Sequence, residues 1–349
     1  DYSSISAQVI EPAKTPRGPV WPKVSLTLAL ALMVGCAVGM GATVVLDRLD
    51  QRVRSLDELR QLTGLAVLGQ VALLPEDQSA AMGPPGLISH AKPRSSWAEA
   101  YRAVRTNLDF LRRRHQRLQV LLVTSTYPGD GKTTAASNLA ISFALAGRRV
   151  LLIDTDLRRP SLHKVHGLGC DHGLSHLLKE LLPLDRAVQR STIENLEVIT
   201  AGPEVPNPAE LLSSSHLAEL LDEARQAYDV ILLDSPPLLA VADPAIVGAV
   251  IDGVVLVARP TTVRRRDIEH AMELLRSLGT SLLGILVNGV SREDRGYGYG
   301  YGYGYGSYGR SIERRSGDVT GPIAAEDQAP ETVTRANGQP GPGLHEGSD

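Results

Sequence analysis

The stretch LQVLLVTSTYPGDGKTT (118–134) decides how the chain is read. Its first eight residues are an apolar, β-branched-rich run. Thr126, Tyr127, Pro128, Gly129, Asp130, Gly131, Lys132, Thr133 and Thr134 follow, and then a helical pattern opens. A strand that passes through a glycine-bearing loop into a helix N-terminus is a phosphate cradle. Gly129 and Gly131 let backbone N–H groups approach phosphate oxygens, and the helix dipole adds to the attraction. In this pattern Lys132 reaches the β- and γ-phosphates and the Thr133 hydroxyl is a Mg²⁺ ligand, with Pro128, Asp130 and Thr134 completing the nucleotide-binding loop. The generic pattern G-x-x-x-x-G-K-[ST] fails at its first position, Thr126; the strand–loop–helix context supports the reading. The alternative is a glycine-rich turn with an incidental lysine.

Two more strand ends carry acid. LLIDTDLR (151–158) places Asp154 and Asp156 at i and i+2, which point to the same side of a sheet. VILLDSPP (230–237) ends a strand with Asp234. These carboxylates can hold Mg²⁺ directly or through water, and one can accept a proton. A lone Asp at a strand end is commonly an ordinary cap. Three such strand ends in one α/β domain, one bearing a phosphate loop, point to a nucleotide site.

Outward from this core, β-branched runs recur near 119–124, 149–153, 196–200, 230–233, 253–258 and 282–287. Helical patterns cover 96–113, 132–146, 209–227, 243–250 and 264–278. Strands separated by helices of this length predict an α/β fold, a doubly wound, mostly parallel sheet covered on both faces. The domain is placed at 95–290, with Asn288 ending its last strand on the phosphate-loop edge and assigned to the nucleotide.

Val24 to Leu46 is 23 residues without a charge. As a helix it spans about 35 Å, against a hydrocarbon core of about 30 Å. The alternative, a buried core helix, usually keeps a polar face. This sets the boundaries: a Pro-rich stub at 1–22, a transmembrane helix at 23–47, and a juxtamembrane segment and linker at 48–94. Within the last, Leu56 to Pro75 reads as a short helix, a break at Gly64 and a short strand. ATP is cytosolic, so residues 47 onward are expected inside and 1–22 outside. Because the first residue is Asp1, a fragment or processed chain is expected.

Lys and Arg number 36 and Asp and Glu 39, a net charge of −3, so the whole chain is no nucleic-acid binder. Two cysteines, Cys36 and Cys170, exclude a disulfide scaffold and a four-cysteine zinc site. His163, His166, Cys170, His172 and His176 cluster, but their spacing fits no compact zinc pattern, and they fall in an expected loop. The tail 291–349 is expected to be disordered. It contains YGYGYGYGYGSY, with Tyr297, Tyr299, Tyr301, Tyr303, Tyr305 and Tyr308. Alternating glycine leaves each phenol presentable to a deep site; the alternative is a sticky low-complexity tail. Nine to twenty flexible residues reach roughly 17–25 Å, enough for the chain's own site or a neighbour's.

PGDGKT (128–133), LLIDTDLR (151–158) and LLDSPP (232–237) resemble the Walker A, A′ and B motifs of the bacterial tyrosine kinases of polysaccharide export, relatives of MinD-like P-loop ATPases. Glu99, Arg102 and Arg105 resemble that family's ring-forming E-x-x-R-x-x-R, although they could equally be a solvated charge stripe. GPEVPNPAELL (202–212) resembles its segment before Walker B. The tyrosine cluster resembles its autophosphorylation tail. The apolar helix with its Pro-rich lead-in resembles the second membrane helix of a Wzz-type chain-length regulator, which implies a first helix and a periplasmic domain upstream.

The resemblance implies ATP and Mg²⁺ as cofactors and a bacterial inner-membrane location with a cytoplasmic catalytic domain. It also implies self-association in a ring, and partnership with polysaccharide polymerisation and export machinery and a tyrosine phosphatase. The implied reaction is transfer of the γ-phosphoryl group to the tail tyrosines. In it Lys132 stabilises charge, Asp154 serves as base and Mg²⁺-shell residue, and Asp156 and Asp234 support it. Two departures matter. The early lysine of MinD-like ATPases is Tyr127 here, and the internal regulatory tyrosine of some kinases is Ser161. A MinD- or ParA-like switch without kinase activity, and a scaffold with a relic nucleotide site, are the competing readings.

Overall fold

The structure is a computed structural model that describes residues 23–49, 53, 56–74, 84–114 and 118–290. The stub 1–22, most of the linker 75–83 and the tail 291–349 with its tyrosines lie outside the described residues. The first half holds α1 (Val24–Leu49), α2 (Leu56–Thr63), β1 (Val67–Ala72), a 3₁₀ turn (Pro85–Leu87), α3 (Ile88–Ala91), α4 (Ser96–Arg114), β2 (Val120–Ser125), α5 (Lys132–Ala144) and β3 (Val150–Asp154). Then come α6 (Leu162–His166), α7 (Leu174–Leu177), α8 (Leu184–Ala187), β4 (Gln189–Arg190), β5 (Leu196–Ile199), α9 (Pro208–Leu212), α10 (Ser215–Ala227), β6 (Val230–Asp234), α11 (Asp243–Gly248), β7 (Gly253–Ala258), α12 (Arg265–Ser277) and β8 (Leu282–Val290).

All residues of β2, β3, β6 and β7 are buried. Their unbroken apolar runs are what a parallel sheet covered on both faces requires. The sheet order is β1-β8-β7-β2-β6-β3-β5-β4, parallel throughout except β4 on β5. Alternation sorts the side chains. Leu121, Val123, Leu152 and Leu232 face α4 and α5, packing on Tyr101, Leu108 and Phe143. Val120, Leu122, Ile153 and Leu233 face the opposite layer with Leu217, Leu221 and Leu275. The doubly wound sheet is as expected. β2 lies centrally between β6 and β7, and the chain winds away from it in both directions, so the C-terminal ends around it form the crevice where such folds bind ligands.

Four features differ from the sequence reading. First, the sheet takes in β1, from the stretch assigned to the juxtamembrane segment. β1 pairs in parallel with β8, Val67 opposite Ile285, and α4 packs directly on it: a Cβ at Gly69 would stand 2.4 Å from Val104 Cγ2. Second, the single helix expected over 209–227 is broken at Ser213 and Ser214. Their hydroxyls donate back to Glu210 O and Leu211 O at 2.9 and 2.8 Å, closing the first helix and freeing the second. Third, the loop expected after Asp156 folds into the short helices α6 and α7. Fourth, the two-residue β4 is too short to show a period and escapes sequence reading.

The linker also contributes a strap. Residues 85–91 lie along α5, where Asn138 Oδ1 accepts Ser89 N–H at 2.8 Å and Asn138 Nδ2 donates to Pro85 O at 2.8 Å. Ser137 Oγ donates to Gly86 O at 2.7 Å. His166 Nε2 stands 2.9 Å from the same hydroxyl. Because that hydroxyl's proton is committed to Gly86, His166 is the donor here, and burial pushes its pKa down to about 4, so it is neutral. α1 stands apart from this packing: the span Val24–Leu46 is 0% buried with mean hydropathy 2.2, long and apolar enough to cross a membrane.

The N-terminal end of β2 is clamped by Asp252. Its carboxylate accepts Gln119 and Val120 N–H groups at 2.7 Å and a bidentate Arg225 guanidinium at 2.8 and 2.6 Å. Burial alone would raise this carboxyl, but Arg225 and the two amides outweigh it and hold it below the usual range. Asp252→Ala should cost about 3 kcal/mol at neutral pH, read as a lower urea midpoint. A depressed carboxylate stabilises above its unfolded pKa of about 4 and stops doing so as pH falls through its folded value. The gap between variant and parent should therefore close in acid. Equal midpoints at neutral pH would show the clamp to be dispensable.

Candidate active site

The phosphate loop is shaped by two glycines and braced by Asp130. Gly129 and Gly131 hold φ of 89° and 94°, a left-handed conformation that a side chain disfavours. At Gly131 space forbids one as well, since a Cβ would stand 2.1 Å from Asn288 Nδ2. Asp130 is fully buried. Its Oδ2 accepts the Thr126 hydroxyl and Tyr127 N–H, each at 3.0 Å, and its Oδ1 accepts the Thr262 hydroxyl at 2.6 Å. Asn288 Nδ2 donates to Asp130 O at 2.8 Å. Thr126, the residue that breaks the generic pattern, is thus a brace, and Asp130 and Asn288 hold the loop in shape.

Lys132 is the first residue of α5 and only 14% exposed, with Nζ 3.0 Å from Asp156 Oδ2 and 3.9 Å from Asp234 Oδ1. Gly131 is the N-cap of the helix, and the turn there carries Lys132 into the acid cluster. Burial would pull its ammonium down, but Asp234, Asp156 and Asp154 outweigh burial and hold it above the usual lysine range. The lysine is firmly charged.

The acids come together because their strands pair: Asp154 of β3 lies opposite Asp234 of β6 in the ladder. Asp154 turns its oxygens to the following loop. Oδ1 accepts Asp156 N–H, and Oδ2 accepts Ser161 and Leu162 N–H, all at 3.1 Å. Asp156 accepts Arg159 N–H at 2.9 Å on Oδ1 and Lys132 on Oδ2. So the i,i+2 pair divides: Asp156 meets the lysine while Asp154 organises the turn. Asp234 is fully buried and neither of its oxygens accepts a well-formed hydrogen bond, with the Thr133 hydroxyl beside them. Burial raises the carboxyls of Asp154 and Asp234, the neighbouring Asp234 charge raises Asp154 further, and Lys132 opposes both rises.

Asp156 and Asp234 stand beside one ammonium with the Asp154 charge nearby, and buried like charges of this kind call for a further cation. The orphaned Asp234 oxygens beside Thr133 fit Mg²⁺, a hard cation taking carboxylate, hydroxyl and phosphate oxygens. Sequence reasoning missed Ser161 as a site residue, noting only that it was not tyrosine. Its hydroxyl donates to Thr133 Oγ1 at 3.2 Å; no spacing rule reaches across that turn.

Of the proposed ring residues, Glu99 and Arg102 pair with each other on an exposed face, and Arg102 also donates to Pro93 O at 2.8 Å. Arg105 does not share that arrangement: it turns onto α5 and donates to Ser142 O at 2.8 Å, near a helix C-terminus where a cation is favoured. In the histidine cluster, His172 and His176 meet edge to face at 5.5 Å.

A strand–loop–helix cradle with a buried lysine and acids on two adjoining strand ends defines the class, a P-loop nucleotide-binding α/β domain. A family model described as an AAA domain matches residues 119–276. The chain is 43% identical to the tyrosine-protein kinase YwqD of Bacillus subtilis over 203 residues, 58% of this chain and 85% of that one. It is 32% identical to the tyrosine-protein kinase etk of Escherichia coli K12 over 300 residues, 82% of this chain but 41% of that one. The solved kinase domain of the Escherichia coli tyrosine kinase ETK superposes with a TM-score of 0.61 at 32% identity, covering 69% of this chain and 96% of that one. The chain belongs to the bacterial tyrosine-protein kinases. It spans most of YwqD and less than half of etk.

Proposed function

We propose that this chain is a membrane-anchored tyrosine autokinase that transfers the ATP γ-phosphoryl group to Tyr297, Tyr299, Tyr301, Tyr303, Tyr305 and Tyr308, and that it regulates exopolysaccharide or capsule export. The observation that carries the chemistry is the cluster of Lys132, Asp156 and Asp234 under the phosphate loop. The family carries the acceptor, tyrosine. The span Val24–Leu46 supports anchoring.

The loop amides from Gly129 to Thr134 bind and orient the phosphates. Lys132 draws charge from the transferring group, which is the main demand in phosphoryl transfer. Thr133, Asp234 and Asp156 would hold Mg²⁺, which neutralises phosphate charge when bound. A tail phenol oxygen bonds to the γ-phosphorus, the bond to the β,γ-bridging oxygen breaks, and ADP leaves. The phenolic proton goes to a carboxylate. Asp154 suits that role because its raised pKa brings it nearer the phenol's, and Oδ1 accepts only one hydrogen bond. Self-association through Glu99 and Arg102 would let one subunit's tail reach another's site.

The test is phosphotyrosine mapping by mass spectrometry after incubating the purified chain with Mg·ATP. The five Tyr-Gly steps are near-identical, so single Tyr→Phe changes should each lower total phosphate modestly and the six-fold change should nearly eliminate it. A tethered tail presents tyrosines at millimolar effective concentration, on the order of what weak intrinsic binding needs. Phosphate found only outside 297–308 would overturn the acceptor assignment.

A further inference from the structure

Val53 fixes how far the domain can stand from the end of α1. Its side chain is buried with Leu59, Val263 and Val290, and its N–H donates to Val263 O at 3.2 Å. The apolar run ends at Leu46 and the helix at Leu49. Three helical steps and four extended ones reach at most about 19 Å. Headgroups occupy about 5–8 Å of that. If Val24–Leu46 crosses a bilayer, as proposed above and as this inference requires, the turn after Val263 stands within roughly 15 Å of the lipid surface.

That turn is Arg264, Arg265 and Arg266. Arg264 and Arg266 are exposed, and neither makes an ion pair among the described residues. Arg265 pairs with Glu58 at 2.6 Å. Of the following acids, Asp267 faces the Tyr127 hydroxyl and Glu269 is exposed. Arg264 at the N-cap and Arg266 in the first turn of α12 oppose the helix dipole and, unlike Arg265, have no ion-pair partner among the described residues, so fold stability does not account for these two. We propose that the Arg264–Arg266 turn is a membrane-contact face for the anionic phospholipid headgroups of the bilayer that α1 enters. Guanidinium groups suit phosphate geometry, and the short tether holds lipid within reach whatever the protein concentration, which favours lipid over a second copy of the chain. The contact would bear on the active site, because Thr262 in the same loop holds Asp130 of the phosphate loop.

The test uses the full chain in nanodiscs of neutral phosphatidylcholine, or with about 30% phosphatidylglycerol, reading amide hydrogen exchange across 263–268. Exchange should slow on the order of tenfold in anionic discs. Arg264→Ala/Arg266→Ala should lose that protection, as should about 0.5 M salt, which shortens electrostatic reach to about 4 Å. Arg264→Lys/Arg266→Lys should keep most of it. Equal exchange in the two lipids overturns the proposal. So does protection that follows the number of chains per disc, which would assign the face to a second copy. A chain that never enters discs, seen in the disc-free fraction on gel filtration, overturns the anchor and the proposal with it, and is distinguishable from the first result.

Discussion

Replacing Lys132 with alanine removes ATP-dependent tyrosine phosphorylation, by a factor on the order of 10³ or more. The ammonium sits 3.0 Å from Asp156 and 3.9 Å from Asp234, on the side of the loop where the γ-phosphate must lie. Without it, the carboxylates of Asp154, Asp156 and Asp234 and the phosphate oxygens lose the ammonium that offsets their charge. Burial gives the substitution a second effect. Asp234 already accepts no well-formed hydrogen bond, so losing its counter-charge makes the nucleotide-free protein less stable. The variant must therefore be shown folded, by circular dichroism. Lys132→Met keeps the apolar stem and should lose activity equally while costing less stability. Phosphotyrosine forming at the parental rate in a folded Lys132 variant would remove this loop from the chemistry.

How much of this could be seen beforehand follows from chemistry that is local in sequence. The strand–loop–helix, the helix start at Lys132 and the acids at strand ends are legible because the apolar runs and the glycines lie next to them. What was not legible depends on pairing across distance. Nothing in 67–72 says that Gly69 will be pressed against Val104, so the short strand read there is assigned to the juxtamembrane segment and not to the sheet it joins. Nothing near Asp252 says that residues 119 and 120 will end at its carboxylate. The division of labour between Asp154 and Asp156 depends on the turn at 159–162, where backbone amides claim one carboxylate and leave the other to Lys132. Thr126 looked like a defect in the pattern. It is a brace whose partner, Asp130, is four residues away, a spacing that becomes informative only once the loop's shape is known. Arg105 shows the converse: its spacing from Glu99 and Arg102 was plain, yet a free carbonyl at the end of α5 claims it.

Asp234→Asn should separate stability from function in opposite directions. Asp234 is wholly enclosed, its oxygens accept no well-formed hydrogen bond, and burial raises its pKa despite the pull of Lys132. A carboxyl raised in the folded state favours folding while protonated. Its contribution is full below the unfolded pKa of about 4 and is lost as pH rises through the folded value. At neutral pH the parent therefore carries an ionised, poorly solvated group that asparagine, nearly isosteric and uncharged, does not. Lys132 keeps Asp156 at 3.0 Å as its partner, so the change does not strand the ammonium. The nucleotide-free variant should be more stable by about 1–3 kcal/mol near pH 7, a gain of a few degrees in thermal midpoint, and this advantage should shrink towards pH 4. Activity should move the other way. Asparagine cannot supply the negative charge that Mg²⁺ needs beside Thr133, so phosphorylation should fall by about 10² or more. Mg·ADP should also raise the variant's thermal midpoint far less than the parent's. The measurement is the thermal midpoint across pH 4–8, with and without Mg·ADP. A variant less stable than the parent at every pH would mean that the Asp234 carboxylate is a satisfied structural anion and that the cation belongs elsewhere in the pocket.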